Sequence, residues 1–267
     1  MSNFSNPAPF SNDIKTFQVG ALRVQIYGSA AEMAEHSAQI AGEYLQEILK
    51  QKNSANIILA TGQSQIEFLQ NLVAKAELDW SKITLFHLDE YLGIDANNPA
   101  SFRYYLREKV EKLVKPKEFY YLEGDTNQPL QECERYSQLL QAYPSDLVCL
   151  GIGDNGHIAF NEPAVADFED PKTVKLVKLE STTRLQLLNG GDFPEIELVP
   201  QYAFTLTIPV ICAAKKILCF APKKRKAKII QTILESSITP KIPASILRNQ
   251  PQATLFLDND SASILNI

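Results

Sequence analysis

The chain has 267 residues, with 26 Lys and Arg against 31 Asp and Glu, for a net charge of −5. A composition of 45% hydrophobic and 21% charged residues supplies a core and excludes global disorder, collagen, coiled coil and a disulfide scaffold. The acidic balance argues against a nucleic-acid polymer or an anionic membrane as partner.

Residues 1–16 read as a loosely held extension, and 17–267 as one α/β domain. The extension begins MSNFSNPAPFSND, polar and without a basic start or apolar h-region, so it is not a signal peptide. No run approaches about 18 uninterrupted apolar residues, so no membrane helix is expected, and the protein is expected in the cytoplasm. Residues 22–27 then read as a strand and 30–51 as an amphipathic helix. NIILA (56–60) is a continuous apolar strand, followed by a helix over about 65–77. ITLFHL (83–88) is a third strand, leading through a polar loop into a helix over about 101–114. Residues 128–141 are helical and DLVCL (146–150) is a buried strand. Further strands are expected at 173–179, 203–207, 216–221 and 253–257. Of the four cysteines, none lies in a C-x-x-C pair, and Cys149 and Cys219 sit in apolar runs as small buried hydrophobes.

Continuous Val/Ile/Leu-rich strands alternating with helices predict a mostly parallel central sheet covered on both faces, a Rossmann-like three-layer α/β fold. Such sheets bind ligands outside the carboxyl ends of their strands. Three polar segments occupy that position: 61–65 after NIILA, 89–93 after ITLFHL, and 151–163 after DLVCL.

GIGDNG at 151–156 matches G-x-G-x-x-G, but it runs into HIAFNEP, where Pro163 stops any helix, and no acidic residue closes a following strand. The loop reads instead as a close approach of backbone to ligand that presents His157 and Glu162. A lone histidine is ordinarily a packing residue, as expected for His36 and His87. His157 differs because a carboxylate follows five residues later and can fix its tautomer and raise its basicity. Asp89-Glu90-Tyr91 offers paired acids at a strand tip: a solvated cap in the bland reading, a carboxylate base in the functional one. Thr61-Gly62-Gln63-Ser64 at a strand-to-helix junction is either a plain cap or an anion site. KKRKAK (223–228) is either a solvated face or the source of one inward lysine. No zinc spacing and no G-x-S-x-G elbow occurs, and no metal or cofactor is expected.

Together ATGQS (60–64), LDEYLGI (88–94) with SFRYYL (101–106), LGIGDNGHIAFNEP (150–163), TTR (182–184) and the lysine-alanine pair at 226–227 resemble the glucosamine-6-phosphate deaminase family, within the deaminase/6-phosphogluconolactonase superfamily. The likeness runs over roughly residues 20 to 260. It implies conversion of glucosamine 6-phosphate to fructose 6-phosphate and ammonia by ring opening, aldose–ketose isomerisation and imine hydrolysis. On that resemblance Asp89 moves the C2 proton to C1, and His157 assists ring opening with Glu162 tuning it. Thr61, Gly62, Gln63 and Ser64 cradle the phosphate with Lys226, while Glu90, Gly156 and Arg184 are further substrate-site candidates. Three departures stand out. Asn155 replaces an aspartate of the His/Glu group, Asn189 replaces a phosphate-contacting arginine, and Gln250-Pro251 replaces a histidine-proline pair. Competing readings are a 6-phosphogluconolactonase, disfavoured because Glu162 has no counterpart in the lactonase motif, a deaminase for galactosamine 6-phosphate, and a non-catalytic sugar-phosphate sensor. The partner implied is a small sugar phosphate; a homo-oligomer is compatible with the sequence, which does not set the oligomeric state.

Overall fold

A computed structural model describes residues 14–191 and 193–266. Eight strands form the main sheet in the order β1-β2-β11-β10-β7-β3-β4-β6. They are β1 (Lys15–Val19), β2 (Leu22–Tyr27), β3 (Ala55–Leu59), β4 (Ile83–His87), β6 (Glu118–Phe119), β7 (Leu147–Gly151), β10 (Ile217–Phe220) and β11 (Ala253–Asp258). Only β1 runs antiparallel to its neighbour; the other six pairings are parallel. A second, antiparallel sheet contains β5 (Asp89–Tyr91), β9 (Tyr202–Leu206) and β8 (Val174–Lys178), in the order β5-β9-β8.

Both faces of the main sheet are buried, as its uninterrupted apolar strands require. Side chains alternate between two cores: Ile58, Cys219, Leu255 and Leu257 enter one, while Ile57, Leu59, Leu218, Phe220 and Phe256 enter the other. Helices α1 (Ala30–Lys52) and α2 (Ile66–Lys75) cover the second face through Ala38, Ala41, Leu45, Phe68 and Leu72. Helix α3 (Phe102–Leu106) continues through a π-helical stretch (Arg107–Glu111) into α4 (Lys112–Val114). The opposite face is covered by α5 (Pro129–Ala142), α7 (Ile208–Cys212) and α8 (Ala227–Glu235), which bury Tyr136, Ile211, Ile230 and Ile233. Helix α6 (Ser181–Asn189) packs Leu187 and Leu188 against the cluster that contains Val177 and Ala203 of the small sheet. Each fully buried side chain of this size contributes about 1.5–3 kcal/mol.

The expected α/β fold is present, with three differences of detail. Lys15 and Thr16, expected in the extension, already pair with Ile26 and Gln25 in β1; residues 1–13 lie outside the described residues. The segment expected as a polar loop after β4 opens with a strand: Asp89, Glu90 and Tyr91 are all buried and pair with Thr205, Phe204 and Ala203. The strands expected near 173–179 and 203–207 form, but in this second sheet. Among the described residues no helix is long and apolar enough to cross a membrane.

Candidate active site

The chain reverses its direction across the sheet between β3 and β7. After β3 it proceeds outward through β4 and β6; after β7 it proceeds the other way through β10 and β11. The loops leaving these two adjacent strands therefore diverge and open a crevice at their carboxyl ends. Two of the three expected segments, 61–65 and 151–163, are those loops.

Gly62 takes a φ of +96°, and a Cβ there would meet nothing within 4 Å, so this backbone faces open space. The N-cap position of α2 is Gln65, which makes no side-chain cap. The N–H groups of the first turn and the Thr61 and Ser64 hydroxyls are thus available to an anion. Gln65 is fully buried and staples the loops together, its Nε2 donating to the Leu150 carbonyl at 3.0 Å and to Ser64 Oγ at 3.1 Å. The sequence places Gln65 in the 61–65 segment but shows no role for it; an amide at a helix N-cap was the available signal.

No helix follows the glycines of 151–156, so the dinucleotide reading has no support in the backbone. Gly156, at φ +86°, allows the turn, and its carbonyl accepts from the Ala244 N–H at 2.8 Å. Gly153 has another duty: a Cβ there would lie 2.2–2.3 Å from three atoms of the His157 ring. The imidazole packs where a side chain would be.

Asn155 links His157 to Glu162. Its Oδ1 accepts from the His157 N–H at 3.1 Å and lies 2.8 Å from Nδ1, while its Nδ2 donates to Glu162 Oε2. With the amide so oriented, His157 Nδ1 carries the proton and Nε2 presents a lone pair. Glu162 Oε2 lies 3.2 Å from Nδ1, and Oε1 accepts from Thr183 Oγ1 at 2.6 Å. Burial opposes the charge on Glu162, but the bonds from His157, Thr183 and Asn155 together hold its carboxyl below the usual range. Thr183 lay inside the TTR motif, yet sequence reasoning singled out its neighbour Arg184. That arginine instead donates from Nη2 to the carbonyls of Ile196 and Val199 at 2.7 and 2.9 Å. It ties α6 to the following segment, and among the described residues no such bond joins it to the loops of the crevice.

The small sheet connects this loop to Asp89. Thr205 pairs with Asp89 across β5 and β9, and its Oγ1 accepts from the Phe160 N–H at 3.1 Å. Asn161 Nδ2 donates to the Leu206 carbonyl at 2.8 Å. Asp89 is buried, and desolvation with the adjacent Glu90 charge raises its pKa to about 8. Glu90 faces the other way, as expected for alternate residues of a strand. It accepts from the N–H groups of Tyr91, Phe102 and Arg103 and from Ser101 Oγ. Glu90 therefore caps α3; the paired acids of the sequence have separate tasks.

Lys226 is the inward lysine of the basic run, only 6% exposed. The turn that carries it is pinned by the Lys223 N–H donating to the Asp258 carboxylate. Its Nζ contacts Asp154 of the glycine loop. Burial lowers its pKa against the opposing pull of Asp154, and Arg225 Nη1 stands 3.5 Å from the same carboxylate.

A family model described as glucosamine-6-phosphate isomerases/6-phosphogluconolactonase matches residues 28–256. Among similar proteins, a glucosamine-6-phosphate deaminase of Streptococcus pneumoniae serotype 4 is 40% identical over 227 residues, 84% of this chain and 95% of that one. Another, of Lactobacillus delbrueckii subsp. bulgaricus, is 35% identical over 244 residues, 91% of this chain and 100% of the other. A solved monomeric glucosamine-6-phosphate deaminase superposes with a TM-score of 0.83 at 30% identity, covering 90% of this chain and 99% of its own. A 6-phosphogluconolactonase from Shewanella baltica shares the fold at a TM-score of 0.71 and 18% identity, covering 88% and 97%. With residues 28–256 matched by the family model and relatives 35–40% identical over most of its length, the chain belongs to the glucosamine-6-phosphate isomerase/6-phosphogluconolactonase family.

Proposed function

We propose that this protein is a glucosamine-6-phosphate deaminase acting in the cytoplasm on a small sugar phosphate. The observation that carries this reading is the Glu162-anchored His157, with Nδ1 protonated and Nε2 free to exchange a proton. A lactone hydrolase needs to activate water, whereas an aldose–ketose isomerase needs one group for ring opening and a second for carbon-to-carbon proton transfer.

The phosphate sits on the 61–64 loop and the α2 N-terminus, with Lys226 as its cation. His157 Nε2 takes the anomeric hydroxyl proton and returns it to the ring oxygen as the C1–O5 bond breaks. The imidazolium formed in between is stabilised by Glu162. Asp89 then removes the C2 proton while the C2 ammonium gives one of its protons to O1, forming an enolamine, and Asp89 delivers the proton it took to C1 to give the 2-iminium. The resulting 2-iminium adds one water and releases ammonia, leaving fructose 6-phosphate. A base with a pKa of about 8 is matched to this two-way transfer, since it both accepts and donates near neutral pH.

A coupled assay over glucosamine 6-phosphate, galactosamine 6-phosphate and 6-phosphogluconolactone tests the proposal. Equimolar ammonia and fructose 6-phosphate from glucosamine 6-phosphate are expected. Lactone hydrolysis without ammonia release from either amino sugar would overturn it.

A further inference from the structure

A cavity of about 340 Å³ is lined in part by Arg103, whose Nε lies 3.6 Å from Glu90, the neighbour of the proposed base Asp89. Its walls include three arginines, Arg103, Arg107 and Arg135, and three aromatic rings, Phe119, Tyr120 and Tyr121. Neither Asp89, His157 nor Glu162 lines it. The volume falls in the range of small-molecule sites, about 300–1,000 Å³.

Two of the arginines come from one helical stretch and the third from α5; each donates to a backbone carbonyl, and Arg135 is also clamped by both carboxylate oxygens of Glu132, at 2.7 and 2.6 Å. Arg103 and Arg107 are four residues apart on one helical face. Arg103 Nη2 donates to the Ile94 carbonyl, Arg107 Nη2 to the Ala96 carbonyl, and Arg135 Nη2 to the Tyr121 carbonyl, at 3.1, 3.1 and 2.7 Å. Carbonyls orient a guanidinium without neutralising it. The carboxylates nearby compensate in part. Glu132 takes Arg135, Asp125 takes Arg103 Nη2, and Arg107 has only a 3.6 Å approach to Glu108; Glu123 is the one acid on the wall. Among the described residues, Nη1 of all three arginines makes no hydrogen bond, which leaves six N–H donors. Arg103, with a side chain only 9% exposed, also has a buried Nε without a hydrogen bond, 3.6 Å from Glu90.

We propose that this cavity is a second anion site, built for a small organic phosphate whose oxygens take the guanidinium donors while its carbon skeleton lies on the aromatic wall. Three preset guanidiniums suit a dianionic, three-oxygen head better than a single carboxylate. The ligand takes no part in proton transfer; it rests two residues from the base, through Arg103 and Glu90.

Phosphate titration followed by ³¹P NMR on the full chain tests this, using inorganic phosphate and ribose 5-phosphate at constant ionic strength. Lys226→Ala weakens the crevice contribution, so the part of the remaining binding that is lost when the arginines are changed reports the second site. Adding Arg107→Gln and Arg135→Gln to that variant should weaken the remaining binding at least tenfold, with ribose 5-phosphate tighter than inorganic phosphate before the change. Remaining binding that is absent, or the same with and without the arginines, would overturn the proposal. Should the triple variant not fold, phenylglyoxal labelling of the Lys226→Ala protein decides: protection of Arg107 and Arg135 by ribose 5-phosphate supports the site, and equal labelling with and without it refutes it. The deaminase reading is not at stake in either readout.

Discussion

Replacing Asp89 with asparagine tests whether burial sets the protonation of this carboxyl, the base of the proposed mechanism. Asp89 is only 9% exposed beside the fully buried Glu90, and its pKa stands at about 8 against an ordinary 3.8. In the unfolded chain the carboxyl returns to its ordinary value. Between about pH 4 and 8 the native state therefore keeps a proton that the unfolded state has released. The stability held by this group is fully present below about pH 4 and is lost as the pH rises through about 8. At about 1.36 kcal/mol per pH unit, the interval from 3.8 to about 8 amounts to about 6 kcal/mol as a ceiling. Asparagine is similar in shape and does not titrate. Urea unfolding of both proteins at about pH 5 and pH 9 should show the variant gaining about 4 kcal/mol on the wild type between the two conditions. Turnover should fall by about a thousandfold or more at every pH, since the C2 proton has no acceptor. A stability difference that stays constant to within about 1 kcal/mol across that range would refute the assignment of the shift to burial.

Gly153→Ala should push the His157 ring out of place, because the new Cβ would lie 2.2–2.3 Å from three ring atoms. We expect kcat/KM to drop about 100-fold with the thermal midpoint little changed; unaltered kinetics would mean that the ring has room to move. Thr183→Val removes the hydroxyl that donates to Glu162 at 2.6 Å, costing about 1–3 kcal/mol. It should also raise the Glu162 pKa, because the lost bond favours the charged form. Thr183→Ser should restore both the pH profile and the urea midpoint. Glu90→Gln replaces an acceptor oxygen with an amide facing the N–H groups of α3, destabilising the fold by about 2–4 kcal/mol. Because the Glu90 charge helps to raise Asp89, the acid limb of the pH–rate profile should move to lower pH in the same variant.

The main sheet was legible in the sequence because strands buried on both faces are written as unbroken apolar runs, and NIILA, DLVCL and KILCFA are such runs. Their helices followed from 3.6-residue spacing, to within a residue or two at most ends. The glycine loop and the basic turn were legible because a ligand-facing loop must end a strand, and strand ends can be read. Asp89-Glu90-Tyr91 was misread as loop because three residues with two acids carry no strand pattern. Only pairing with Thr205, Phe204 and Ala203 makes them one. Glu90 was grouped with Asp89 for the same reason: adjacency in sequence cannot tell which carboxylate meets four hydrogen-bond donors and which is buried with its pKa raised.

The residue types thus determined by themselves that this is a two-sided parallel α/β sheet with polar loops at its carboxyl edge, since burial and periodicity are local properties of the chain. The tertiary structure decided which loops share a crevice, because the reversal between β3 and β7 depends on strand order. It likewise decided that Thr183 holds Glu162, that Arg184 holds the scaffold, and that Asp89 is buried enough to retain its proton near neutrality. Those are contacts between residues far apart in the chain, and no local pattern encodes them.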